Sequence, residues 1–198
     1  MKLFPPLVST ALLLITPSAF ADVLYSNFGS NGEFDSSQFW GINNRSDAIS
    51  FIVTQDFYLT SLDIALRPGG AYSMSIRAGS GGLPGAILYS GFGAQGTGAK
   101  ESVLIGQLQL SPGQYWLTAK NINSLSQEGG WYWNSIGANG TFATTTDDIT
   151  WSPVNNVLPV IALYGTTAPV PEPASICALG LGLLGLWRRK RSSISTDF

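Results

Sequence analysis

The residues of this chain that could do chemistry are acids and aromatic rings, because the common nucleophiles and metal ligands are almost absent. Its 198 residues include no His and a single Cys. This excludes Ser-His-Asp and Cys-His catalysis, His-based metal sites and disulfides within the chain. Glycoside hydrolysis by two carboxyl groups remains, with Glu33 and Asp35 or Asp147 and Asp148 as candidate pairs. Neither spacing identifies a catalytic site, so we predict that the protein is not an enzyme.

Asp147 and Asp148 are also the candidate metal ligands. They follow three threonines at 144–146, and this run offers the hard oxygen ligands that calcium prefers. The chain has no D-x-D-x-D-G loop of the kind that binds calcium in EF-hands. We therefore expect no cofactor and name calcium as the one candidate ion.

Two tryptophans are the candidate ligand-binding residues. Strand alternation places Trp131 and Trp133 on one face, where exposed rings could stack on a sugar. The competing interpretation is that they fill the core, where an aromatic side chain buries about 150–250 Å². For Trp116 and Trp40 we favour the core, whereas for Trp131 and Trp133 both interpretations stay open.

The elements that position these residues are predicted to be strands. Apolar and polar residues alternate through the middle of the chain, turns rich in Gly and Pro interrupt them, and no segment shows sustained helical spacing. The predicted strands cover 50–54, 61–66, 72–78, 86–89, 103–110, 115–119, 131–133 and 160–164. Short strands about every 8–12 residues favour an antiparallel, jelly-roll-like β-sandwich. We place this all-β domain at 22–165 and a linker at 166–169.

The predicted domain is acidic. From Asp22 to Pro171 the chain has five basic and ten acidic residues, which gives a net charge of −5. Because no basic stripe runs through it, we expect no nucleic-acid partner.

The N-terminus has the three parts of a secretory signal peptide. Met1-Lys2 supplies the positive start, an apolar run follows to Ile15, and Ala19-Phe20-Ala21 is a small-x-small cleavage pattern. The predicted signal peptide is 1–21, so that cleavage after Ala21 leaves Asp22 as the first mature residue.

The C-terminus has a second apolar run, from Ala174 to Trp187, which ends at Arg188-Arg189-Lys190-Arg191. A helix of this length spans about 21 Å, less than the hydrocarbon core of roughly 30 Å. The Trp and the basic cluster are nevertheless typical of a stop-transfer end that faces the cytoplasm. We predict a transmembrane helix here, with 192–198 as a cytoplasmic tail.

The segment 170–191 resembles a PEP-CTERM sorting signal. Its three parts stand in the family's order: Val170-Pro171-Glu172-Pro173, a short Gly/Leu-rich helix and the basic cluster. The resemblance implies a protein exported by a Gram-negative bacterium that makes exopolysaccharide. It also implies processing by an exosortase-type enzyme, a transient stay in the inner membrane, and then the cell surface or extracellular matrix. The tail after Arg191 runs further than the family pattern.

The middle of the chain resembles the choice-of-anchor domains of bacterial surface proteins, most closely the R type. The resemblance is carried by Asp35 with Phe39-Trp40, by the loop 81–85 before Ile87-Leu88-Tyr89, and by the segment 110–117. It implies an extracellular β-sandwich with no known enzymatic activity.

Three functions follow in order of preference. The first is a non-enzymatic surface or matrix protein for adhesion or scaffolding in an exopolysaccharide layer. The alternative is a lectin-like carbohydrate-binding module that uses Trp131 and Trp133, assisted by calcium at Asp147 and Asp148. A glycoside hydrolase is a distant third.

Overall fold

The computed structural model describes residues 21–42, 45–122 and 129–167. Within them the chain forms a short 3-10 helix (Ser30–Gly32) and twelve strands: β1 (Asp22–Ser26), β2 (Phe34–Gly41), β3 (Ser46–Val53), β4 (Phe57–Ala65), β5 (Tyr72–Ser80), β6 (Leu83–Ala94), β7 (Lys100–Leu110), β8 (Gly113–Asn121), β9 (Gly130–Asn134), β10 (Asn139–Thr145), β11 (Ser152–Val157) and β12 (Ile161–Thr167).

The strands form three antiparallel sheets. The four-stranded sheet has the order β1-β12-β4-β7 and the six-stranded sheet the order β11-β10-β3-β8-β5-β6, while β2 and β9 pair separately as a ribbon. The two larger sheets enclose the main core, which draws side chains from both. The predicted all-β, jelly-roll-like sandwich is therefore confirmed.

Strand alternation builds the main core. Tyr72, Met74 and Ile76 of β5 belong to it, as do Ile49 and Phe51 of β3. Each fully buried side chain of this kind contributes about 1.5–3 kcal/mol relative to exposure. The residues between them point to the outer face of the six-stranded sheet, where a smaller apolar cluster forms from Ala48, Trp116, Ala143 and Trp151.

Both ends of the domain lie at the same end of the sandwich. Asp22 pairs with Gly165 across β1 and β12, and Thr167 pairs with Phe57 of β4. Only three residues join β3 to β4, so Val53 lies at this end as well. We call it the terminal end. Ser46, at the start of β3, lies about 23 Å away at the distal end, since a strand rises about 3.3 Å per residue.

The last strand extends beyond the predicted end of the domain at residue 165. β12 continues through Thr166 and Thr167, which pair with Tyr58 and Phe57, so the strand takes in the first half of the predicted linker. Sequence patterning also missed β1, β2, β10 and β11. No helix in the described part of the chain is long and apolar enough to cross a membrane.

Candidate functional site

The predicted targeting residues lie at or beyond the borders of the described domain. Ala21 precedes β1 and Asp22 is its exposed first residue. The predicted signal peptide up to residue 20, with Ala19, lies outside the described residues, as do the predicted sorting segment 170–191 and the tail 192–198.

The platform interpretation is wrong for Trp131. Its side chain is 0% exposed in the main core, and its indole Nε1 donates a hydrogen bond to the Val160 carbonyl at 2.9 Å. Trp133 is half-buried, and its ring centroid lies 5.6 Å from that of Trp40. The face of β9 that carries both rings is thus packed, and Trp131 presents no surface to a sugar. Trp116 is buried, as favoured.

Asp147 organises the loop between β10 and β11. Its Oδ1 accepts hydrogen bonds from Thr145 Oγ1 at 2.7 Å and from the backbone N–H groups of Ile149 and Thr150 at 2.9 and 2.7 Å. These bonds, that from Thr145 above all, stabilise the charged form and hold the pKa of the Asp147 carboxyl well below its usual range. The carboxylate is therefore used in local structure.

Asp148 joins that loop to the six-stranded sheet. Its carboxylate forms an ion pair with Lys120 of β8 and accepts a hydrogen bond from Ser46 of β3. Partial burial raises the pKa of Asp148, but the bonds from Lys120 and Ser46 outweigh it and leave the pKa lowered.

The carboxylates of Asp147 and Asp148, the predicted calcium ligands, already have partners within the protein. Asp147 is engaged in its own turn, and Asp148 is already neutralised by the Lys120 ammonium. Residues 21–42, 45–122 and 129–167 contain no group of three or more His, Cys, Asp or Glu that could hold a metal ion. Calcium at Asp147 and Asp148 stays a prediction, and it would have to compete with the protein groups that already bind both carboxylates.

Asp148 does take part in a cavity that sequence reasoning missed. This cavity, the distal groove, has a volume of about 180 Å³ and lies on the outer face of the six-stranded sheet. Pairing of Ser46 with Lys120, and of Lys120 with Ser73, aligns β3, β8 and β5 across it. Its lining comprises Ser46, Ser73, Met74, Ser75, Arg77, Ile87, Ser90, Thr118, Lys120 and Asp148.

Arg77 is the most buried charged residue of the distal groove. The residue is 9% exposed, its Nη1 donates to the Gly85 carbonyl at 3.1 Å, and its guanidinium carbon lies 5.3 Å from the Trp151 ring centroid. Its Nε has no hydrogen-bond partner. Burial lowers the pKa of Arg77, while the Asp148 carboxylate acts in the opposite direction.

The hydroxyl groups of the distal groove give it a polar floor. Ser75 and Thr118 share a hydrogen bond of 2.7 Å between β5 and β8, and three further serines line the cavity. With Arg77, Lys120 and Asp148 the groove holds two cations and one anion. This local excess of positive charge stands out on a domain whose net charge is negative.

The outer face of the four-stranded sheet carries a contrasting polar cluster. Asp63 forms an ion pair with Lys100 at 3.1 Å and accepts hydrogen bonds from Ser102 at 2.6 Å and Tyr164 at 2.9 Å. Burial and the neighbouring carboxylate raise the pKa of Tyr164 to about 12. Because these groups satisfy one another, the cluster serves to hold β4, β7 and β12 together.

A signal for the distal groove was present in the sequence, since polar Ser73, Ser75 and Arg77 alternate with the core residues of β5, and Thr118 and Lys120 do so on β8. Alternation along a strand does not, however, indicate which strands are neighbours in the sheet. Only the pairing of β8 between β3 and β5 brings the two polar sets together.

Comparison with known proteins identifies the C-terminal segment. Residues 169–191 match the family model described as the PEP-CTERM protein-sorting motif. No curated protein matches the chain. The matched segment begins two residues after β12 ends at Thr167, and it covers the predicted sorting residues Val170 to Pro173 and the basic cluster Arg188 to Arg191. The chain therefore carries a PEP-CTERM sorting motif directly after its β-sandwich.

Proposed function

We propose that this protein is a non-enzymatic surface protein of a Gram-negative bacterium, which serves adhesion or scaffolding in an exopolysaccharide layer. The sorting motif indicates an exported protein that an exosortase system processes on its way through the membrane to the cell surface. The β-sandwich is the part that would remain displayed there.

The observation that carries the proposal is the position of the two chain ends. Asp22, predicted to follow the signal peptide, pairs with Gly165, and β12 ends just before the sorting motif. Both predicted targeting segments would therefore join the domain at its terminal end. The distal groove residues Ser46 and Lys120 lie at the opposite end, which would face away from the membrane during sorting.

The hydrogen bonds of two acids that were candidates for glycoside hydrolysis favour a structural role for them. Asp35 accepts hydrogen bonds from the backbone N–H and hydroxyl of Ser37 at 2.9 and 2.6 Å, and Asp147 holds its own turn. A lectin-like function, the alternative, loses Trp131 as a ligand residue, because that side chain is fully buried, whereas Trp133 stays a prediction.

Replacing Pro171-Glu172-Pro173 by three alanines tests the sorting step. We expect the variant to accumulate unprocessed in the inner membrane, as measured by mass and by cell fractionation. Alanines at 192–194, beyond the matched motif, provide the control and should leave sorting intact. A motif variant that reaches the surface at its normal mass would contradict the assignment.

The adhesive role needs a separate measurement. Deletion of the gene should reduce the cohesion of the exopolysaccharide layer and the retention of cells in it, and the wild-type chain should restore both. If the protein reaches the surface but its deletion leaves cohesion and retention unchanged, adhesion and scaffolding are excluded.

A further inference from the structure

We propose that the distal groove binds an acidic saccharide, in which hydroxyl groups contact the polar floor and a uronate carboxylate contacts the Arg77 and Lys120 side. This assignment rests on the surface role proposed above and adds to it a site and a class of ligand.

The lining of the groove fits a sugar. Ser75 and Thr118 present hydroxyl groups that both donate and accept, as do Ser46, Ser73 and Ser90. Ile87 is more than half exposed at the same cavity and offers an apolar surface to the C–H groups of a sugar ring. A concave site with a few placed polar groups and an apolar contact is the usual form of a small-ligand site.

Arg77 supplies the preference for an acidic sugar. Its Nη1 donates to the Gly85 carbonyl and its charge interacts with the Asp148 carboxylate, but its buried Nε lacks a hydrogen-bond partner. A buried donor without a partner is unfavourable, and guanidinium groups recognise carboxylates through paired N–H donors. A ligand carboxylate beside Arg77 in the groove would offset the charge of its guanidinium.

The Asp148 carboxylate would repel an acidic ligand in the groove, and a change at this residue therefore provides the sharpest test. Its carboxylate lines the groove and is balanced by Lys120. Removing the negative charge should strengthen binding of an acidic sugar, and removing the Lys120 charge should weaken it. A neutral sugar should respond to neither change. Asp148 has a φ of 60°, which Asn tolerates well, so Asp148→Asn preserves the backbone.

The experiment measures binding of polygalacturonate, with dextran as the neutral probe, to the full exported chain recovered from the cell surface. A chelator is present throughout, because calcium crosslinks poly-uronates. We expect Asp148→Asn to bind polygalacturonate about two- to fivefold more tightly and Lys120→Gln to bind it about two- to fivefold more weakly. Dextran should bind more weakly than polygalacturonate to the wild-type chain.

Two control variants separate the groove from the overall charge. Lys100→Gln removes a lysine of matched exposure, 41% against 44% for Lys120, from an ion pair on the other sheet. Asp56→Asn removes an exposed acid from the turn between β3 and β4 at the terminal end. Neither should change binding. Thermal unfolding of every variant confirms that the fold is kept.

Each other outcome overturns the assignment. If dextran binds as tightly as polygalacturonate, the groove does not select an acidic sugar. If Lys120→Gln and Lys100→Gln weaken binding equally, the contact is general electrostatics, and the absence of binding removes the site altogether. Because binding is measured on purified protein, these outcomes leave the sorting and cohesion experiments to decide the proposed function independently.

Discussion

Asp22 and Gly165 are partners across the pairing of β1 with β12. Gly165 also pairs with Leu59 of β4, so it sits between two neighbouring strands. A Cβ added at Gly165 would overlap the Tyr58 carbonyl oxygen and approach the Phe57 ring. The first and last strands of the domain therefore meet where only hydrogen fits as a side chain.

Gly165→Ala should destabilise the domain by about 1–3 kcal/mol or more, because the added methyl meets backbone that cannot move aside without disturbing β4. Chemical denaturation measures the loss. Gly41→Ala in β2 is the matched control, since a Cβ there meets nothing within 4 Å, and it should be neutral or mildly stabilising. Equal effects at the two positions would show that the close approach at Gly165 is not real.

Trp131→Ala should cost about 3–5 kcal/mol of unfolding free energy, because it empties a fully buried site and leaves the Val160 carbonyl without its indole donor. Trp133→Ala should cost less, since that ring is half-buried. Denaturant titration of both variants is the measurement. A larger loss at Trp133 would contradict the assignment of Trp131 to the core.

Asp47 should make stability fall as pH rises from about 4 to about 7. Burial raises the pKa of its carboxyl to about 7, although the Arg45 guanidinium lies against it with Nε 3.1 Å from Oδ1. The folded state therefore holds a proton that the unfolded state releases at lower pH, and the slope is at most about 1.4 kcal/mol per pH unit.

Asp47→Asn isolates this effect, because Asn does not titrate. The melting temperature of the variant minus that of the wild type should rise between pH 4 and pH 8. Asp148→Asn should show the opposite sign at lower pH, since the lowered pKa of Asp148 stabilises the wild type above the unfolded pKa and that stability is lost on acidification. A flat difference for Asp47→Asn would mean that burial does not raise its pKa.

The sequence by itself determined the class of fold and the sorting motif at the C-terminal end. Alternation along β5, where Tyr72, Met74 and Ile76 are apolar, is a local property that requires a strand with one buried face. The sorting motif is likewise local, because a short run of residue types specifies it.

The tertiary structure alone decided which side chains face a partner. Trp131 and Trp133 share a face of β9, and local pattern treats them alike, but only Trp131 enters the core completely. β10 is rich in Asn, Thr and Gly and becomes a strand because Phe142 and Ala143 pair with Ile49 and Ala48 of β3. Strand pairing depends on residues far apart in the chain, and alternation carries no information about which strands become neighbours.

The distal groove is likewise a feature that the tertiary structure decided and local sequence pattern did not. Ser46, Lys120 and Ser73 lie side by side because β8 is inserted between β3 and β5, and Asp148 reaches them from a loop held by Asp147. Each residue alone is an ordinary polar position on a strand or turn. Their convergence, and the burial that leaves Arg77 Nε without a partner, arise only when the sheet has formed, because long-range pairing sets the distances between them.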